Sequence, residues 1–370
     1  MKRILASALS AALLLTMLAG CGGNNNSSNN GSSNTGTSSA SNTDSGDKVV
    51  KIGVFEPQSG DNGAGGKQEI LGMQYAHSLT PTVEIGGETY TVELVYADNQ
   101  SANDKAPSAA QTLVSAGCSV VLGSYGSGVS IAASDTFGDA GVPAIGVTCT
   151  NPQITIGNDH YFRICFIDPF QGTMLARYAV KNDYKKIAIM REKDSEYAVG
   201  LVKYFQDEIA THDGFEVVEL CDFMNKDEDF SALLGAVLAQ SPDVIFTSVS
   251  YADKAAQIMK QARALGYEGA FFGGDTLDAP ELYSIAGDAA VGSVFTTFYD
   301  AAQPATEKTS EFLDAYRAKY GKEPAAPTVM AYDAYLTMRN AIETAGTTDA
   351  EAVRDALFTT DGFVGAAGTI

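Results

Sequence analysis

Few residues of this chain could do chemistry, and those that could are set to hold a ligand rather than to transform one. Gly126-Ser127-Gly128 stands between a short apolar run ending at Leu122 and a helical stretch. A hydroxyl and several backbone N–H groups there would face an anion at a helix N-terminus, although the same residues also make an ordinary Ser/Gly helix cap. Thr148 to Pro152 follows the next run, Pro143 to Val147, and sets a second hydroxyl and a carbonyl beside that loop, where an Asn-Pro turn is the plainer account. Asp275, after the run Ala270 to Gly273, is a turn residue or cap ahead of a helix near Ala279, or else a desolvated carboxylate that needs a cation opposite it.

Catalytic patterns fail on particular residues. Ser127 is outside a G-x-S-x-G frame because residue 125 is Tyr, and no neighbouring His can serve as its base. His77, His160 and His212 are isolated from one another and from any Cys. Asn225 to Asp229 opens like a calcium loop, but Phe230 stands where Gly is required and Ala236 where the closing Glu belongs. Gly63-Ala64-Gly65-Gly66 is no dinucleotide loop, since Gln68 replaces the third Gly. Cys118, Cys149, Cys165 and Cys221 lack C-x-x-C spacing and read as small buried hydrophobes. No enzyme, metal or cofactor is expected.

These residues must be positioned by a chain in which short β-rich runs alternate with longer helical ones. Val49 to Phe55, Tyr90 to Tyr96, Ser119 to Leu122 and Pro143 to Val147 read as strands, with helices Glu69 to Ser78, Ser101 to Ala116 and Ser127 to Ala140 between them. After a break at Asp168-Pro169 the rhythm resumes. Strands Ile187 to Met190, Glu216 to Cys221, Val244 to Thr247, Ala270 to Gly273 and Val291 to Thr296 are interleaved with helices Gln171 to Lys181, Glu196 to Thr211, Phe230 to Gln240, Tyr251 to Leu265 and Ala279 to Ala286. Two βα series imply an α/β protein of two doubly wound parallel-sheet lobes, with a ligand cleft at the carboxyl ends of the strands. Helices Thr306 to Tyr320, Pro327 to Ala345 and Ala350 to Thr359 then need a sheet to cover, so the chain crosses back.

Composition narrows the partners. With 24 Lys+Arg against 45 Asp+Glu in 370 residues, the net charge of −21 excludes a nucleic-acid binder driven by phosphate neutralisation. Lys2 and Arg3 precede an apolar stretch from Ile4 to Leu18, and Leu18-Ala19-Gly20-Cys21 resembles a bacterial lipobox. Residues 1–20 are then a signal peptide, and Cys21 is the lipid-attachment residue of a chain with 22 basic and 45 acidic residues, a net of −23. The Gly/Asn/Ser/Thr segment through Asp47 has nothing to bury and reads as a disordered tether holding a folded region just outside the membrane.

The ordered set Val121-Leu122-Gly123-Ser124, Ser127-Gly128-Val129-Ser130, Ala132-Ala133-Ser134-Asp135, Cys149-Thr150-Asn151-Pro152 and Asp229-Phe230-Ser231-Ala232-Leu233-Leu234 resembles the leucine/isoleucine/valine-binding proteins of ABC importers. Tyr197 with Gly200-Leu201, and Gly273-Gly274-Asp275, fall in the expected order, and the resemblance runs from Val49 to Ile370. It implies a periplasmic-binding-protein fold of type I, whose lobes are joined by three crossings, here near Asp168, Thr297 and Thr360, and close on a small ligand. Lobe 1 is then residues 48–167 plus 298–359, and lobe 2 residues 168–297 plus 360–370. The family continues into a further strand where this sequence stops at Ile370.

By the same resemblance Ser127, on the Gly126 turn, and Thr150 take a ligand α-carboxylate. The carbonyl of Thr148 and the carboxylate of Asp275 take its ammonium, and Tyr197 and Tyr251 contact it from lobe 2. The implied partners are a small α-amino acid, an ABC permease and the extracytoplasmic face of the membrane through the lipid anchor. A non-amino-acid ligand such as an amide, small carboxylate or aromatic acid, or a sensory role, is the alternative on the same fold. Gly126 and Gln100 replace a half-cystine pair, so that disulfide is not expected. Gly65 and Thr328 stand where aromatic residues line the side-chain pocket, which predicts a larger or more polar pocket than leucine needs.

Overall fold

The computed structural model describes residues 48–370; Cys21, the signal peptide and most of the tether lie outside them. In chain order the first lobe holds β1 (Val49–Glu56), α1 (Gly63–Leu79), β2 (Thr82–Ile85), β3 (Glu88–Asp98), α2 (Ala106–Ser115), β4 (Val120–Leu122), α3 (Ser127–Asp139), β5 (Ala144–Gly146) and β6 (Tyr161–Arg163). The second holds α4 (Asp168–Lys181), β7 (Lys186–Glu192), α5 (Glu196–Ile209), β8 (Glu216–Phe223), α6 (Ser231–Ala239), β9 (Val244–Ser248), α7 (Ala252–Ala264), β10 (Ala270–Gly273), α8 (Pro280–Ala286) and β11 (Val294–Phe295). Helices α9 (Glu307–Tyr320), α10 (Ala326–Ala345) and α11 (Ala350–Phe358) return to the first lobe.

The first sheet has the order β2-β3-β1-β4-β5-β6 and the second β11-β10-β9-β7-β8. All neighbours pair in parallel except β2, which runs antiparallel to β3. Helices cover both faces of each sheet, so the central strands read as unbroken apolar runs: Ile52 and Val54 on β1, and Ile245 and Phe246 on β9, are fully buried. Each lobe has an apolar cluster on either face of its sheet, and the first lobe has a third around Tyr75, Phe312 and Tyr316. Helix α10 supplies most of the helical side of one, with Ala334, Tyr335, Met338 and Ile342 in the cluster that it forms over β2, β4 and β5. The four cysteines among the described residues, Cys118, Cys149, Cys165 and Cys221, are buried and free.

Three local outcomes differ from the sequence reading. Pro169 does not interrupt the chain, because it falls in the first turn of α4, where the missing N–H costs nothing. Strand β2 and its Gly86-Gly87 turn, and the edge strand β6, are additional elements of four and three residues. Residues 360–370, assigned above to the second lobe after a crossing near Thr360, stay with the first. There Phe363 and Ile370 exchange backbone hydrogen bonds of 2.9 and 2.8 Å, and both carboxylate oxygens of Asp333 accept N–H bonds of 2.7 Å from Ala366 and Ala367. Thr306 and Thr309 donate to the carbonyls of Gly365 and Ala366 at 2.7 Å, tying the segment to the capped start of α9. Between the lobes the two crossing segments lie side by side, with the rings of Phe166 and Phe298 stacked at 4.5 Å.

Candidate ligand-binding site

A cavity of about 350 Å³ opens where the carboxyl ends of the two sheets face each other. On the first lobe its floor is the start of α3. Gly126 adopts φ +101°, a conformation that favours glycine, and turns the chain so that Ser127 is the first helical residue. Ser127 is 2% exposed, and its Oγ accepts a 3.2 Å bond from the Asn151 backbone N–H, which leaves the hydroxyl proton free to donate into the cavity. The unpaired N–H groups of the first turn of α3 point the same way.

Thr148 is on the same wall, its hydroxyl hydrogen-bonded to the buried carboxyl of Glu69. Thr150 is fully buried just behind it, accepting from the amide of Gln171 at 3.4 Å, and does not line the cavity. Arg163 braces this loop by donating to the carbonyls of Cys149 and Asn151 at 3.3 and 3.0 Å. Cys149 faces the first-lobe core, and burial pushes its thiol up to about 11.

From the second lobe Tyr197, in the first turn of α5, donates to Oδ1 of Asp275 at 2.8 Å, and both line the cavity. Gly274 makes that bond possible, since a Cβ there would stand 2.1 Å from the tyrosine oxygen. Gln171 holds the backbone of Asp275, its Oε1 accepting that N–H at 3.3 Å and the hydroxyl of Thr296, in the second crossing segment, at 2.7 Å. Burial raises the Asp275 carboxyl to about 7 against the bond from Tyr197, and no Lys, Arg or His lines the cavity to oppose the shift. Glu69 is likewise raised to about 7 and Asp168 to about 6, both mainly by burial, and Glu56 is raised by burial and by Glu69 beside it. Hydrogen-bond donors on one lobe thus face an uncompensated carboxylate on the other.

Tyr251 is not on the cavity wall. Its hydroxyl donates to Glu281 at 2.8 Å, and its ring meets that of Tyr125 edge-on at 6.1 Å. Tyr125 is on the wall, and sequence reasoning passed it over. It belongs to the first lobe by chain, yet its ring packs into the apolar cluster of the second. It also covers Gly65 so closely that a Cβ there would stand 2.6 Å from the ring. The larger pocket expected from a glycine at position 65 is therefore filled by Tyr125. Glu69, Gln171 and Glu192 are among the other residues at or behind the cavity wall that sequence reasoning passed over, as are the lining carboxylates Asp61, Asp104, Asp194 and Glu196. The lobes also meet directly, with the Asn103 amide on Glu196 Oε1 at 2.8 Å and the Asn151 amide on the Glu196 carbonyl at 3.0 Å.

Two parallel-sheet lobes that close over a polar cavity, with donors for an anion on one wall and a carboxylate on the other, define a bilobal receptor for a small solute. The chain belongs to the periplasmic binding protein family, whose sequence profile matches residues 49–370, and within it to the Leu/Ile/Val-binding type. It is 33% identical to the Leu/Ile/Val-binding protein BraC3 of Rhizobium johnstonii over 83% of each chain. The crystal structure of leucine-binding protein LivK from Thermotoga maritima superposes with a TM-score of 0.82 at 36% identity, covering 87% of this chain and 91% of that one. The branched-chain amino acid transporter substrate-binding protein LivJ of Streptococcus pneumoniae, solved in complex with isoleucine, gives 0.80 at 32% identity over 87% and 91%. The fold is accordingly that of a type I periplasmic binding protein. Among the described residues no helix is long and apolar enough to cross a membrane.

Proposed function

We propose that this protein is the lipid-anchored substrate-binding subunit of an ABC importer for an α-amino acid, tethered through Cys21 and performing no chemistry on its ligand. The observation that carries the reading is the pairing of the α3 N-terminus and Ser127 on one lobe with Asp275 and Tyr197 on the other. A zwitterion satisfies both at once: its carboxylate takes the helix N–H groups and the Ser127 hydroxyl, and its ammonium neutralises Asp275. Either charge alone leaves the other wall unpaired in a desolvated space, which is costly. Thr148 lines the ammonium side, while Thr150, Gln171 and Tyr251 act from behind as positioning residues. Because the two receptors are on different lobes, a ligand bridges them and holds the cleft closed, the form a permease would recognise.

Thermal unfolding of the purified protein against L-amino acids, their amides and small carboxylates tests the ligand class, because a ligand that binds only the folded state raises the midpoint. A shift confined to free α-amino acids is expected. Shifts with carboxylates lacking an ammonium, and none with amino acids, would remove Asp275 from the site. Mass analysis of the N-terminal peptide tests the anchor: Cys21 is expected to be the first residue and to carry acyl chains.

A further inference from the structure

The walls of the cavity are unsuited to an aliphatic side chain. Tyr125 fills the space over Gly65, and besides its ring and that of Tyr197 the only apolar side chains on the lining are Ala102 and Val129. The remainder is polar and one-sided in charge: Asp61, Asp104, Glu192, Asp194, Glu196 and Asp275 line the cavity and no basic residue does. Asp104 is paired with Lys105 at 3.1 Å, outside the lining. Glu192, Asp194 and Glu196 have no ion-pair partner among the described residues. Glu192, at the carboxyl end of β7, is 2% exposed, and its oxygens accept from the Asn225 amide at 3.0 Å and from the hydroxyl and N–H of Ser250 at 2.8 Å. Neutral donors satisfy its lone pairs and leave its charge uncompensated.

We infer that the ligand is a basic α-amino acid, whose side-chain cation runs along this wall and neutralises the buried Glu192, with the exposed Glu196 adding to the field there, while its α-groups occupy the Ser127 and Asp275 receptors. A zwitterion of zero net charge neutralises Asp275 and leaves the buried Glu192 facing a closed, poorly screened cavity. A ligand of net charge +1 compensates both. Glu196 also ties the lobes together through Asn103, so a cation beside it stabilises the closed form. The exposed members, Asp61, Asp104, Asp194 and Glu196, contribute mainly to the field that draws cations to the mouth.

The inference rests on the amino-acid reading, and a matched pair of ligands separates the two. L-Lysine and L-norleucine share α-groups and a four-carbon side chain and differ in the terminal ammonium. Titration calorimetry on the purified protein is expected to give lysine at least about tenfold tighter binding than norleucine. That ratio is expected to narrow in Glu192→Gln and in Glu196→Gln. The second variant keeps an oxygen for Asn103 and sits at an exposed helix start, so it reports even where the first is destabilised. Norleucine, leucine or isoleucine binding as tightly as lysine or tighter would overturn the basic side chain and keep the amino-acid reading. No binding by any of these or by arginine, ornithine and glutamine would overturn both.

Discussion

Asp275 offers its carboxylate to the cleft with a phenol for a partner, and the remaining compensation must come from the ligand. Asp275→Asn keeps an oxygen to accept from Tyr197 and removes only the charge. Amino-acid affinity is expected to fall by about 100-fold or more, since breaking one side of a buried, hydrogen-bonded charge pair costs about 2–5 kcal/mol. The unfolding midpoint of the ligand-free protein is expected to hold or rise, because a desolvated charge has been removed. Calorimetry and thermal unfolding on the same variant check both halves, and unchanged affinity would refute the assignment. Ser127, Tyr197 and Asp275 were legible in the sequence because each sits in a short motif whose order along the chain carries the resemblance. Tyr125, Glu69, Gln171 and Glu192 were not. Each gains its meaning from a distant segment: Glu69 from Thr148, Gln171 from Asp275 and Thr296, Glu192 from Asn225 and Ser250, and Tyr125 from Gly65 and the other lobe's core.

Among the elements, the strands and helices of the sheets were mostly readable to within a few residues, because burial on both faces of a parallel strand leaves an unbroken hydrophobic signature, although α1 starts six residues before the sequence reading and α2 five after it. The elements that escaped were short and lateral. β2 buries two of its four residues, and β6 is a three-residue edge strand whose pairing with β5 supplies most of its reason to exist. The course of residues 360–370 was illegible for a different reason. It is set by Asp333, thirty-odd residues upstream in the middle of α10, whose carboxylate takes the N–H groups of Ala366 and Ala367. Asp333→Ala leaves the buried Ala366 N–H and the half-buried Ala367 N–H without partners and is expected to lower stability by about 1–3 kcal/mol, measured by denaturant unfolding. Amino-acid affinity is expected to be retained, since no part of this segment reaches the cavity. A variant as stable as the parent would show that the segment docks without the Asp333 bonds, through the Thr306 and Thr309 hydroxyls and apolar contact.

For the whole molecule, the buried carboxyls around the cleft couple stability, ligand binding and pH. Glu69 and Asp275 are raised to about 7 and Asp168 and Asp333 to about 6, in each case chiefly by burial, while unfolded Asp and Glu titrate near 4. Between pH 4 and 7 the unfolded chain therefore releases protons that the folded chain retains. The stability they contribute is full below about pH 4, declines as pH rises and levels off above 7, at about 1.4 kcal/mol per unit of displacement. Asp159 and Glu208, held down by Arg354 and Arg177, oppose this only near and below pH 4. The ligand-free protein is thus expected to unfold at a higher temperature at pH 5 than at pH 7.5. An amino-acid ligand reverses the dependence, because its ammonium pairs with ionised Asp275. Below pH 7 binding must first expel a proton, so affinity is expected to weaken by about tenfold per unit. The ligand-induced rise in midpoint should accordingly be larger at pH 7.5 than at pH 5. A ligand-free midpoint that climbs from pH 5 to 7.5 would mean that the buried carboxyls are already ionised in the folded protein. A pH-independent ligand shift would mean that the group meeting the ammonium is not the one that titrates near 7.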